Sequence, residues 1–165
     1  MNVKIVKNMK KIIIIILSLA ILGVAWWLGS PLFINKNVDE KVEEIQKMMP
    51  IVENQKTAEL VVASQGNFIG ADDFHKAEGT AKLLRVEDKY FIRFEDDFKV
   101  TNGPDLFIYF GKNGSYAKEA KISALKGNIG GQNYEIPAGI NPLEYNEIWV
   151  WCRAFSVPFG HAVLK

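Results

Sequence analysis

The chain has 165 residues, 48% of them hydrophobic and 24% charged, and a formal net charge of +1. That balance leaves no electrostatic footprint for nucleic acid. A single cysteine excludes an intramolecular disulfide and the usual multi-cysteine zinc and iron–sulfur sites. The near-neutrality averages two unlike parts: residues 1–34 hold Lys4, Lys7, Lys10 and Lys11 and no acid, leaving sixteen basic against nineteen acidic side chains in the remainder.

Taken in chain order, the first element is an apolar run directly after Lys11. Residues 12–28 are apolar except for Ser18, and Pro31-Leu32-Phe33-Ile34 extends the reach. About 20 helical residues cross a hydrocarbon core of about 30 Å. Trp26 and Trp27 stand where an interfacial aromatic belt would lie, and the lysines precede the span. The positive-inside bias predicts a single-pass cell-membrane protein with a cytoplasmic N-terminus and an extracytoplasmic remainder. A cleaved signal peptide is the rival reading. Trp26-Trp27-Leu28 is a poor approach to a cleavage site, which wants small residues, so residues 1–34 read as a cytoplasmic tip and an uncleaved signal-anchor in the lipid bilayer.

Residues 35–59 read as a juxtamembrane helix and linker. Asn37 is a candidate N-cap, Asp39 and Glu40 favour the first turn, Val38, Val42, Ile45 and Met49 recur at helical spacing, and Pro50 ends the run. The plain expectation is a solvated spacer or docking strut; a partner-binding helix is the alternative.

From Leu60 the period changes. L-V-V-A, T-A-K-L-L-R-V, Y-F-I-R-F, L-F-I-Y-F, Y-E-I and E-I-W-V-W-C-R-A-F are short and rich in β-branched and aromatic residues. Turn signals such as Glu87-Asp88, Asn102-Gly103-Pro104 and Asn113-Gly114 separate them. Residues 60–165 are therefore expected to be all-β, an antiparallel sandwich or jelly-roll-like domain. Alternation places Tyr90, Ile92 and Phe94 on the core face and Phe91, Arg93 and Glu95 on the other.

No standard enzyme signature appears, which favours an accessory module over a stand-alone enzyme. Gly127-Asn128-Ile129-Gly130-Gly131 lacks the Lys-Ser/Thr of a phosphate loop and reads as a turn. Glu95-Asp96-Asp97 lacks calcium-loop spacing and reads as a solvated strand end. Asp105 follows a Gly-Pro turn, where its carboxylate is expected to cap backbone N–H groups, with a ligand or relay role as the alternative.

Cys152 shares a strand face with Ile148, Val150 and Ala154; Trp149, Trp151, Arg153 and Phe155 take the other face. A cysteine in the small aliphatic set behaves as a small hydrophobe, and Arg153 is left to stack on Trp149, Trp151 or Phe155. Against that, a lone thiol outside the cytoplasm is exposed to oxidation. With His75 or His161 it would offer thiolate and imidazole to haem iron or copper.

The runs G-N-F-I…H-K-A-E-G-T-A-K-L, N-G-P-D-L-F-I-Y-F, L-K-G-N-I-G-G-Q-N-Y-E-I-P and I-W-V-W-C-R-A-F-S-V-P-F-G-H-A-V-L, in that order, resemble the DM13 domain family over about residues 60–165. The resemblance implies a β-sandwich-like domain with a proposed electron-transfer role. Its characteristic cysteine acts as a free thiol or through a prosthetic group such as haem. On that resemblance Cys152 is the redox candidate and cofactor ligand, His75 its helper, and Asp105 the turn aspartate; His161 belongs to no such motif. The implied partner is a redox or envelope protein. The competing expectations are a non-enzymatic binding module with an aromatic platform among Trp149, Trp151, Tyr109 and Tyr134, and a structural accessory module with a buried cysteine.

Overall fold

The computed structural model describes residues 3–30, 33–47 and 59–165. Two compact units emerge, residues 1–34 and 35–165. The first is a helix, α1 (Val3–Gly29), whose stretch Asn8–Trp26 is long and apolar enough to cross a membrane. At 1.5 Å per residue, the 27 residues of α1 run about 40 Å.

The second unit is mostly β. Its strands are β1 (Leu60–Gly70), β2 (Ala77–Glu78), β3 (Thr80–Val86), β4 (Lys89–Phe94), β5 (Lys99–Val100), β6 (Leu106–Lys112), β7 (Ser115–Ala124), β8 (Gln132–Glu135), β9 (Glu147–Cys152) and β10 (Val157–Val163). Eight form one antiparallel sheet in the order β7-β6-β9-β10-β1-β3-β4-β8, and β2 pairs with β5. The sheet curls because β1 serves both halves. Its first part pairs with β3 from Leu60 to Asn67, and its last residues, Phe68 to Gly70, pair with β10. Two half-sheets thus face each other across one core, in keeping with the expected sandwich.

The turns follow the sequence chemistry. Asn113-Gly114 joins β6 to β7 with φ of 56° and 75°, the left-handed pair that a two-residue hairpin needs. The core takes alternate residues from both halves: Leu83, Ile92, Phe94 and Tyr134 from one, Ile108, Phe110, Ile148, Val150 and Cys152 from the other. Phe68, Phe94 and Phe98 meet at centroid distances of 4.4–5.2 Å at its centre. Between β7 and β8 side chains close the seam. Fully buried Gln132 accepts from Gly127 N and donates to the Gly127 and Gly130 carbonyls, and the Tyr134 hydroxyl accepts from Lys126 N. Burial raises the Tyr134 hydroxyl well above the usual phenol range.

Residues 35–47 depart from the expected solvated helix. A short helix is present, α2 (Glu44–Lys47), but the residues before it are extended and docked on the sheet's outer surface. Val38 N donates to Ile129 O, Glu40 N to Gly131 O, and Asn128 N to Lys36 O. Val42 and buried Ile45 pack on Leu60, Leu84, Val86 and Phe91, a second apolar cluster. The helical spacing of Val38, Val42 and Ile45 was satisfied by packing against a sheet, where backbone pairing with the Gly127–Gly131 loop outweighed weak local helix propensity. Met48, Met49 and Pro50 lie outside the described residues.

Candidate functional site

Three loops gather at the end of the sheet where β1 and β9 finish and β6 and β10 begin: residues 71–76, 101–105 and 153–156. Pairing fixes this arrangement, since Gly70 opposes Gly160 and Leu106 opposes Cys152. The three residues singled out from the sequence, Cys152, His75 and Asp105, all lie at this end, each with different partners.

Cys152 is the last residue of β9, between Leu106 on β6 and Val157 on β10. It is a free thiol, 0% exposed, inside the main apolar cluster. Its Sγ makes no hydrogen bond among the described residues. The strand alternation expected from sequence holds for Ile148, Val150 and Cys152, which point inward; β9 ends there, so Ala154, expected on the same face, lies exposed in the turn instead.

His75 is held by Asp72 and Phe159. Its Nδ1 lies 2.8 Å from Asp72 Oδ2, and its ring meets the Phe159 ring at 4.6 Å. Asp72 also accepts from the backbone N–H groups of Phe74 and His75 through Oδ1, at 2.8 and 2.7 Å. The His75 side-chain bond and these backbone donors hold the Asp72 carboxyl down to about 2. No hydrogen bond or ring contact joins His75 to Cys152.

Asp105 accepts from Arg153 Nε at 2.9 Å and Nη2 at 3.4 Å, and its carbonyl accepts from Arg153 N. The carboxylate therefore clamps the β9–β10 turn and does not cap the N–H groups of its own turn. Arg153 lies over the Phe107 ring at 4.4 Å, where the expectation was Trp149, Trp151 or Phe155. Cross-strand pairing decides this: Phe107 opposes Trp151, two residues from Arg153 and on the same face, so the ring lies diagonally beneath the guanidinium.

The outer surface of β6, β7, β9 and β10 carries an aromatic wall. Trp151 stacks on Tyr116 at 4.0 Å and 26°, Tyr116 meets Tyr109 edge-on at 5.2 Å, and Trp149 stacks on His161 at 4.6 Å and 16°. Gly111 makes room for the Trp149 indole, which occupies the space a side chain there would need. Behind the wall Glu147 is buried but satisfied, accepting from Trp149 Nε1 and Gly114 N at 2.8 Å each. Tyr109 and Trp149 are largely buried by their neighbours, while Phe107, Tyr116, Trp151 and His161 remain partly open to solvent. Tyr134 faces the inner core and is no part of a platform.

Two further residues escaped the sequence reading. Arg93, assigned to the outer face, is only 3% exposed. It donates to Glu40 O and Asn133 Oδ1 and pairs with Glu95 and Asp96. Glu40 in turn accepts from Lys126 Nζ at 2.8 Å through both oxygens and from Asn133 N at 2.7 Å. The run Glu95-Asp96-Asp97 is likewise committed, to Lys82, Arg93 and Thr80.

Copper bound through Cys152 would need nitrogen or further sulfur donors beside the thiolate, and haem, which one axial thiolate can hold, would need an open face at the sulfur. Cys152 stands in an apolar cluster, His75 is bonded to Asp72, and His161 is stacked on Trp149. Among the described residues no group of three His, Cys, Asp or Glu side chains is placed to hold a metal ion. The donor set does not fit such a group.

The chain's second unit is thus a curled antiparallel sheet around one apolar core, with Cys152, His75 and Asp105 gathered at one loop end. The family model described as Electron transfer DM13 matches residues 67–164, nearly the whole β domain, and the chain belongs to that family. No curated protein and no solved structure matches it.

Proposed function

We propose that the chain is a membrane-anchored, extracytoplasmic electron-transfer module that works by docking a redox partner carrying its own cofactor. Family membership supports the electron-transfer role. The apolar helix α1, preceded and opened by lysines without acids, supports the anchor and its orientation. The observation that carries the mechanism is the seating of Cys152. A thiol at 0% exposure without a polar partner has no route to a redox partner in the folded state. On this reading the chain itself changes no oxidation state: electrons pass between the partner's own cofactor and that cofactor's acceptor, and the aromatic wall, where Trp151, Tyr116 and Phe107 offer flat, partly open rings, holds the partner in place. Such rings supply contact area at small entropic cost.

A second reading keeps Cys152 as the redox group. It is favoured by position: Cys152 is the last residue of β9, directly before the exposed turn Arg153–Ser156, so opening one hairpin would uncover it. One experiment separates the two. Full-length protein is purified in detergent, and thiol labelling is followed with and without denaturant, beside electron exchange within membrane extracts that supply the partner, measured with and without the added protein. Docking through the wall predicts that Cys152 labels only on unfolding, that Cys152→Ala retains exchange, and that Trp151→Ala loses it. Native labelling together with loss of exchange in Cys152→Ala would overturn it in favour of the thiol.

A further inference from the structure

Two large apolar side chains stand unprotected at the loop end. Phe74, in the 71–76 loop, is 83% exposed, and Phe155, in the 153–156 turn, is 68% exposed. Neither belongs to the aromatic wall or the core. The loops that carry them are rigidly held. Ala71 N bonds to His75 O and Phe159 O, Thr101 N to Lys76 O, and Arg153 N to Asp105 O. Asp72 is bonded to His75 and Arg153 is paired with Asp105, while Asp73 and Lys76, exposed on the same loop as Phe74, carry opposite charges. An end with two projecting phenyl rings among charges of both signs suits the boundary between polar and apolar phases.

The chain's own course says which interface. Asn35, the first residue of the β domain, is fastened at this same end: its Oδ1 accepts from Asn102 Nδ2 at 3.1 Å and Asn128 Nδ2 at 3.0 Å. In sequence, Asn35 follows Gly29, the last residue of α1, by six positions. At about 3.3–3.6 Å per residue, that tether spans at most about 20 Å. If α1 crosses a bilayer, the end bearing Phe74 and Phe155 cannot leave the neighbourhood of the lipid headgroups while Asn35 stays bonded.

We infer that Phe74 and Phe155 insert into the headgroup region of the same bilayer that holds α1, so that the domain rests on the membrane by its loop end. This rests on the membrane-anchored reading above. Aromatic rings at the headgroup level are the preferred anchors of such an arrangement.

The test uses full-length protein reconstituted in phosphatidylcholine vesicles. Single cysteines replace Phe74, Phe155 or, at the opposite end of the sheet, Leu143, which is 66% exposed; Cys152 is replaced by Ala throughout. Each carries a polarity-sensitive fluorophore. Expected are blue-shifted emission and quenching by shallow spin-labelled lipid at positions 74 and 155, and water-like emission at 143. Phe74→Ser should lower the docked-to-undocked ratio reported from position 155 by about tenfold, the worth of one buried ring. Water-like emission at all three positions, in protein that still floats with the vesicles and resists carbonate extraction, would overturn the insertion while leaving the anchor standing. Protein that does not float at all would overturn the anchor and the insertion together.

Discussion

The outer surface of the sheet is finished in two ways. Over β3, β4 and β8 it is covered by another piece of chain, residues 36–47, and the cover lets the sheet hold a buried cation, Arg93, and a second apolar cluster under Ile45. Over β6, β7, β9 and β10 no segment among the described residues covers it, and the side chains cover each other by stacking. The first solution depends on residues far away in sequence and outside the span that matches the family. The second is built from residues already neighbours on adjacent strands. The covered half should therefore fail as a unit when the cover is disturbed, whereas the open half should lose contact surface and little else.

The largest effect is expected at Arg93. Arg93→Leu removes the buried cation shared by Glu95, Asp96 and the Glu40 carbonyl; the carboxylates keep solvent, but the Glu40 carbonyl and Asn133 Oδ1 each lose a donor, at about 1–3 kcal/mol apiece. Denaturant unfolding should show the loss, and amide exchange should rise together in residues 36–47 and β8. If exchange rises in β8 alone, the strap is not held through Arg93. Ile45→Ala tests the apolar half of the same cover. It should cost about 2–4 kcal/mol, because a fully buried isoleucine leaves a cavity against Phe91 and Leu84.

Cys152 sharpens the contrast between inside and outside. Cys152→Ala removes only a sulfur's volume and should cost about 1 kcal/mol. Cys152→Ser puts a hydroxyl where no partner waits and should cost about 1–3 kcal/mol, more than alanine. The usual conservative replacement is then the worse one. Thermal melts of the two variants decide it; serine equal to or better than alanine would mean that a polar group reaches this position. On the open half, Trp151→Ala should cost only about 1–2 kcal/mol, since the ring is partly solvated and loses one stack on Tyr116. Its effect should fall on partner contact.

This division also explains what the sequence could show. The inward set Ile148, Val150 and Cys152 was legible because strand alternation needs only local pattern. So were the turns at Asn113-Gly114 and Glu87-Asp88, whose chemistry is local. The strap was not, because Val38, Val42 and Ile45 fit a helix as well as a docked strand end; the deciding bonds come from Ile129 and Gly131, some ninety residues on. Arg93 was misjudged for the same reason: an arginine on an outward position is solvated unless something covers it. Arg153 was assigned to the right face but the wrong ring, since register between β6 and β9 brings Phe107 beneath it.

The smallest effect is at the loop end, where neither cover nor wall reaches. Asp72 is held down to about 2, first by the His75 side chain and then by the His75 and Phe74 backbone N–H groups. A depressed carboxylate stabilises the fold at pH values above its unfolded value, near 3.9. That contribution is lost as pH falls through about 2. Above pH 5 it is fully present and flat, so the share that His75 supplies is missing from a variant lacking it across the neutral range, and that difference fades only as pH falls toward about 2. His75→Ala removes the largest cause but leaves both backbone donors. The Asp72 carboxyl should therefore rise only part of the way toward the ordinary carboxylate value, followed by its carbon chemical shift against pH. An unchanged titration would mean that the backbone alone holds Asp72. The same variant bears on Cys152: if His75 is committed to Asp72 and Phe159, its removal leaves thiol labelling as slow as before. Faster or slower labelling in His75→Ala would tie the two residues together, and would move the working site from the wall back to the loop end.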